Sequence, residues 1–148
     1  MAKRPKQTDA HDWLGDAAEA LVRCLLARDG LDVYGAGKWL PDVVVVEPRS
    51  RKAFLVEVRS TFLHKPPARK ATRKLKKAQV LAIVRFALGG ADPYTATVEF
   101  KKLKNGRIEH GVETKKNPKP RALLTWLRRE GVIEPRPRAI TSVPKRSS

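Results

Sequence analysis

The sequence predicts a small mixed α/β domain, a central sheet flanked by helices. Three observations lead there. Apolar residues recur at helical spacing near the N-terminus (Leu14, Ala17, Ala18, Leu21, Leu25). Two short runs in the first half have strand character, Asp42–Glu47 with four consecutive valines and Ala53–Ser60. Glycine and proline punctuate the chain at element-length intervals. The 148 residues are enough for one domain with a modest core.

Residues 1–8 are polar and basic and read as a flexible start. Thr8 or Asp9 supplies a helix N-cap, and the helix runs to about Asp29, where Gly30 stops it. Cys24 lies among the apolar residues of this helix and is expected in the core. A short strand, 31–34, leads into the glycine-containing loop 35–40. The valine run suits a strand buried on both faces. Pro48-Arg49-Ser50-Arg51 is a turn, and Ala53–Ser60 completes a pair.

After the break at His64-Lys65-Pro66-Pro67, a second helix is expected from about residue 67 to Leu88. Its apolar part is Val80, Leu81, Ile83, Val84, Phe86 and Ala87, and Gly89-Gly90 ends it. Tyr94–Phe100 alternates as a strand. Asn105-Gly106 marks a tight hairpin turn. Pro120–Glu130 reads as a last helix, with Gly131 past its end. The main domain is therefore 9–134, followed by a flexible basic tail, 135–148, rich in proline, arginine and serine.

Charge narrows the partner. With 32 Lys and Arg against 15 Asp and Glu, the formal net charge is +17, which points to nucleic acid. No apolar run approaches the length of a membrane span, and no basic amphipathic anchor is evident. The first residues lack a signal-peptide core, and a lone cysteine excludes a disulfide framework, so a cytoplasmic setting is expected. His11, His64 and His110 are scattered without zinc spacing, and no Ser-His-Asp arrangement is legible. Gly37-Lys38 lacks the rest of a phosphate-loop pattern.

The chemistry concentrates on the two middle strands. Asp42 stands at the mouth of the valine strand. Glu57 and Arg59 are two apart on the next, so their side chains share a face. A hairpin would bring Asp42 to both, making a site for a hard divalent cation and a phosphate. A structural Glu57–Arg59 ion pair is the plainer alternative, because a glutamate in an apolar strand needs a partner in either case. From Lys65 to Lys77 there are seven Lys or Arg and no acid. Lys65, Arg69, Lys70, Arg73, Lys74 and Lys77 are candidate contacts to a phosphate backbone, with a solvated charged face as the alternative.

Gly15-Asp16-Ala17-Ala18-Glu19, Pro41-Asp42 and Glu57-Val58-Arg59-Ser60 occur in this order, with 14 residues between Asp42 and Glu57. The pattern resembles the PD-(D/E)XK nuclease superfamily. Within it, the archaeal-type Holliday junction resolvases and their viral relatives are most similar, over about residues 15–100. The resemblance implies a restriction-endonuclease-like mixed sheet flanked by helices. It implies that Glu19, Asp42, Glu57 and the Val58 carbonyl bind Mg²⁺, for which Mn²⁺ can substitute, and that a homodimer nicks a four-way DNA junction symmetrically. Lys38 and Ser60 would lie beside the DNA backbone. Where the family carries lysine, this chain has Arg59, which can clamp a phosphate but cannot serve as a base. Arg59 is thus either a working substitute or the mark of a fold kept for DNA binding alone. Another nuclease of the same superfamily, of repair or restriction type, is a further alternative; a basic ribosome- or RNA-associated protein would explain the charge but not the three acids in this order.

Overall fold

The computed structural model describes residues 10–35, 41–62, 73–87 and 95–135, with the side chains of 10–13, 62, 73 and 74 excepted. The elements run α1 (Ala10–Arg28), β1 (Asp32–Gly35), β2 (Val43–Val46), β3 (Ala53–Phe62), α2 (Arg73–Lys77), β4 (Val80–Phe86), β5 (Ala96–Lys104), β6 (Arg107–Ile108), β7 (Lys115–Lys116) and α3 (Ala122–Arg129). Among the described residues the strands form one seven-stranded mixed sheet. Its order is β1-β2-β3-β4-β5-β6, with β7 also on β5. The β3–β4 pair is parallel and the others are antiparallel.

Strand alternation divides the sheet into two unlike faces. Val43, Val45, Phe54, Val56, Val80, Ala82, Val84, Val98 and Phe100 point to one face. There they meet Ala18, Val22 and Leu26 of α1 and Leu123, Trp126 and Leu127 of α3 in the main core. The other face carries a smaller cluster, in which Leu81, Ile83 and Leu103 pack with Ala78 and with Leu75 of α2. Helices therefore lie on both sides of the sheet. Each large apolar side chain buried in the main core contributes about 1.5–3 kcal/mol. Trp126, 1% exposed, also donates its indole N–H to the Glu113 carbonyl at 2.8 Å.

The largest departure from the sequence reading, which expected a helix from about residue 67 to Leu88, lies in the described residues 73–87. Among the described residues the expected helix is present only as α2. Its apolar half is instead β4, the strand that pairs parallel with β3. Residues 80–84 are buried without interruption, because a strand inside the sheet is covered on both faces. Such a continuous apolar run has no period of its own, and the branched Val80, Ile83 and Val84 favour the strand.

Three smaller corrections concern packing. The buried ridge of α1 is Ala18, Val22 and Leu26, spaced four apart, while Ala17 is exposed. Cys24 is also exposed, because it sits between the ridge positions rather than on them. In β2 only Val43 and Val45 are fully buried, and Val44 and Val46 are half-buried. In α3, Leu123, Trp126 and Leu127 are buried in the main core, and Leu124 is partly buried against it.

The Asn105-Gly106 turn is as expected. Both residues have positive φ, 53° and 80°, the signature of a two-residue hairpin that matches strand twist. The turn also presses on α2. A Cβ on Gly106 would lie 3.0 Å from Lys76 Cγ and 3.2 Å from Lys76 Cα. Gly106→Ala is expected to cost about 1–2 kcal/mol, combining the φ penalty with this contact. A urea titration should show a lower midpoint with an unchanged slope.

Candidate active site

The β2–β3 register brings the two middle acids to one end of the sheet. Val43 pairs with Val56, so one step further Asp42 stands opposite Glu57 and Pro41 opposite Val58. Pro41 has no N–H and ends the ladder there. The Asp42 side chain replaces it: Oδ2 accepts the Val58 N–H at 2.9 Å. Asp42 is thereby tied to the segment carrying Glu57 and Arg59. Val58 enters the site through this amide.

Glu57 and Arg59 share the sheet face that carries the smaller apolar cluster, opposite Leu81 and Ile83 of β4. Arg59 Nη2 lies 3.6 Å from Glu57 Oε1, with side-chain exposures of 22% and 7%. A carboxylate this buried stays charged only beside a cation, whether arginine or metal. The same face continues onto the neighbouring strands, where Arg85 Nη1 pairs with Glu99 Oε2 at 3.0 Å. Arg85 and Lys101, which share this face, were not singled out from the sequence. The alternation of β4 would have revealed Arg85 had that segment been read as a strand.

Glu19 is elsewhere. It lies on α1, which packs against the opposite face of the sheet, and it is paired with Arg23 one turn on. Among the described residues no group of three or more His, Cys, Asp or Glu side chains gathers as a metal site. The expected trio of Glu19, Asp42 and Glu57 is therefore not assembled. Ser60 is also displaced: two residues beyond Val58 on β3, it alternates onto the face of the main core, away from Glu57 and Arg59.

Part of the basic run lies among the described residues. Arg73, Lys74 and Lys77 lie in α2, whose Leu75 packs on the Glu57–Arg59 side of the sheet, and Lys77 is exposed. Lys38, Lys65, Arg69 and Lys70 lie outside the described residues, as does the Gly89-Gly90 turn.

Asp42 and Glu57 offer only oxygen donors, as a hard cation requires. Mg²⁺ commonly takes one or two carboxylates and fills its shell with water and substrate phosphate. A two-carboxylate set is consistent with that habit. Among the described residues no helix is long and apolar enough to cross a membrane. Comparison with protein families, with curated proteins and with solved structures returned no match to this chain.

Proposed function

We propose that this chain is a Mg²⁺-dependent, structure-selective DNA endonuclease of the PD-(D/E)XK kind, acting on four-way junctions as a homodimer. The observation that carries the reading is the Asp42 Oδ2–Val58 N–H bond, which joins the second and third motif segments at one end of the sheet. The mixed sheet, with helices on both sides and a parallel β3–β4 crossover, is consistent with a restriction-endonuclease-like fold.

The bound Mg²⁺ would acidify a water and offset charge on the scissile phosphate. Asp42 and Glu57 would hold it, and the Val58 amide fixes the direction of the Asp42 carboxylate. Arg59 would grip a non-bridging phosphate oxygen with its planar fork, a role that needs charge and geometry but no proton transfer. The α2 cations would contact flanking phosphates from the same side of the sheet. With Glu19 held by Arg23, the site works with two carboxylates.

A second reading, a DNA-binding module without catalysis, is favoured by the Glu57–Arg59 pair, which by itself accounts for the buried charge. Cleavage of a labelled four-way junction and of a linear duplex, in Mg²⁺ or EDTA, separates the two. The wild type should make paired nicks in the junction alone, lost in EDTA and in Asp42→Asn. Tight binding without any cutting would sink the enzyme reading, and equal cutting of the duplex would sink the junction preference.

A further inference from the structure

A cleft of about 610 Å³ opens where the end of α1, the end of β2 and the start of α3 meet. From Asp42 to Glu47 is five strand steps, ~17 Å, so the cleft is separate from the candidate active site.

Four arginines line this cleft: Arg28, Arg49, Arg121 and Arg128. Two acids line it too, but both are buried and already engaged. Asp29 accepts the Arg121 N–H with Oδ1 and the Leu124 N–H with Oδ2, each at 2.9 Å, and so caps α3. Glu47 Oε2 accepts from the Ser50 amide at 2.6 Å and from its hydroxyl at 2.7 Å. Burial works against the Glu47 charge, but these bonds win and hold its carboxyl below the usual carboxylate range. Arg28 donates to the Pro118 carbonyl at 2.6 Å. The other three guanidiniums make no hydrogen bond or ion pair among the described residues.

Arg121 also sits in the left-handed region, at φ 70°, where a glycine would be at ease. Strained conformations of this kind cluster at ligand clamps. Here the strain coincides with a guanidinium on the cleft wall. The helix terminus itself is not the attraction, since Asp29 already satisfies it.

We propose that this arginine cleft binds the phosphodiester backbone of a nucleic acid, at a point distinct from the Asp42–Glu57 site. Three guanidiniums in one concavity, none hydrogen-bonded among the described residues and Arg128 also favouring the charge of Glu47, fit the non-bridging oxygens of phosphates. The +17 charge of the chain favours a polyanion over a single small anion. The site holds whether or not the chain cuts DNA.

The test is binding of full-length protein to a labelled linear duplex in EDTA, across a salt series. The triple variant Arg49→Gln/Arg121→Gly/Arg128→Gln removes the three forks. Glycine at 121 keeps the amide that Asp29 caps and relieves the strained φ, so the variant should fold. Each lost phosphate contact reduces the log–log salt slope by about 0.9, so the slope should fall by about 2 to 3. A control triple, Lys104→Gln/Arg107→Gln/Lys116→Gln, should change it by less than about 1. An unchanged slope in the first triple, or an equal fall in both, overturns the proposal. So does an unchanged duplex slope accompanied by lost binding of inorganic phosphate or of phosphatidylserine vesicles, which would assign the cleft to a small anion or a membrane surface.

Discussion

Glu57→Gln is expected to lower Mg²⁺-dependent junction cleavage by at least about 100-fold while leaving junction affinity within about threefold. The substitution keeps the shape of the side chain and removes its charge. A metal ligand contributes several kcal/mol of charge stabilisation during phosphate hydrolysis, and 2.7 kcal/mol is already about 100-fold in rate. Binding depends instead on the cations, which the change does not touch. Arg59 stays in place at 3.6 Å but loses its counter-charge, so it becomes a stronger phosphate contact if anything. Single-turnover cleavage and a gel-shift titration with the same labelled junction read the two effects. Cleavage retained near the wild-type rate would show that Glu57 serves only to neutralise Arg59.

Asp29→Ala should be among the most destabilising single changes in the chain. Its side chain is fully buried at the junction of α1 and α3. Removing it leaves the amides of Arg121 and Leu124 without their acceptors and takes away the cap of α3. A lost cap costs about 0.5–2 kcal/mol, and hydrogen bonds to a charged group are worth about 1.5–3 kcal/mol. A total of about 2–4 kcal/mol corresponds to a fall in Tm of about 5–15 °C for a domain of this size. Asp29→Asn, which keeps one acceptor oxygen, should lose roughly half as much. Thermal unfolding followed by circular dichroism measures both, and a fall in Tm below about 2 °C for Asp29→Ala would refute the capping role.

Asp29 also shows where sequence reading ends. Arg28-Asp29-Gly30 reads correctly as a helix stop, and Gly30 has the expected positive φ of 86°. Nothing local says that the aspartate serves a helix whose amides lie 92 and 95 positions further along. The β2–β3 pair was legible because its signals are local: a valine run, a proline before Asp42, and a turn between two apolar stretches. The Asn105-Gly106 hairpin was legible for the same reason. β4 was not, because a strand buried on both faces loses the alternation that would identify it, and the basic run before it made one long helix look plausible. The pairing of Asp42 with β3 was foreseen from the hairpin. The pairing of Glu19 with Arg23 was not, since it depends on which face of the sheet α1 covers.

The outer side of β5 has a further consequence. Its nine residues would leave a long row of open backbone groups, an invitation to join another sheet edge to edge. β7 covers Glu99 and Phe100, and β6 covers Leu103 and Lys104. At the opposite border β1 is only four residues long and is mostly exposed, beginning with a charged aspartate. Among the described residues the sheet thus ends on both borders in short strands. Little open backbone is left there for one copy to pair its sheet with that of another.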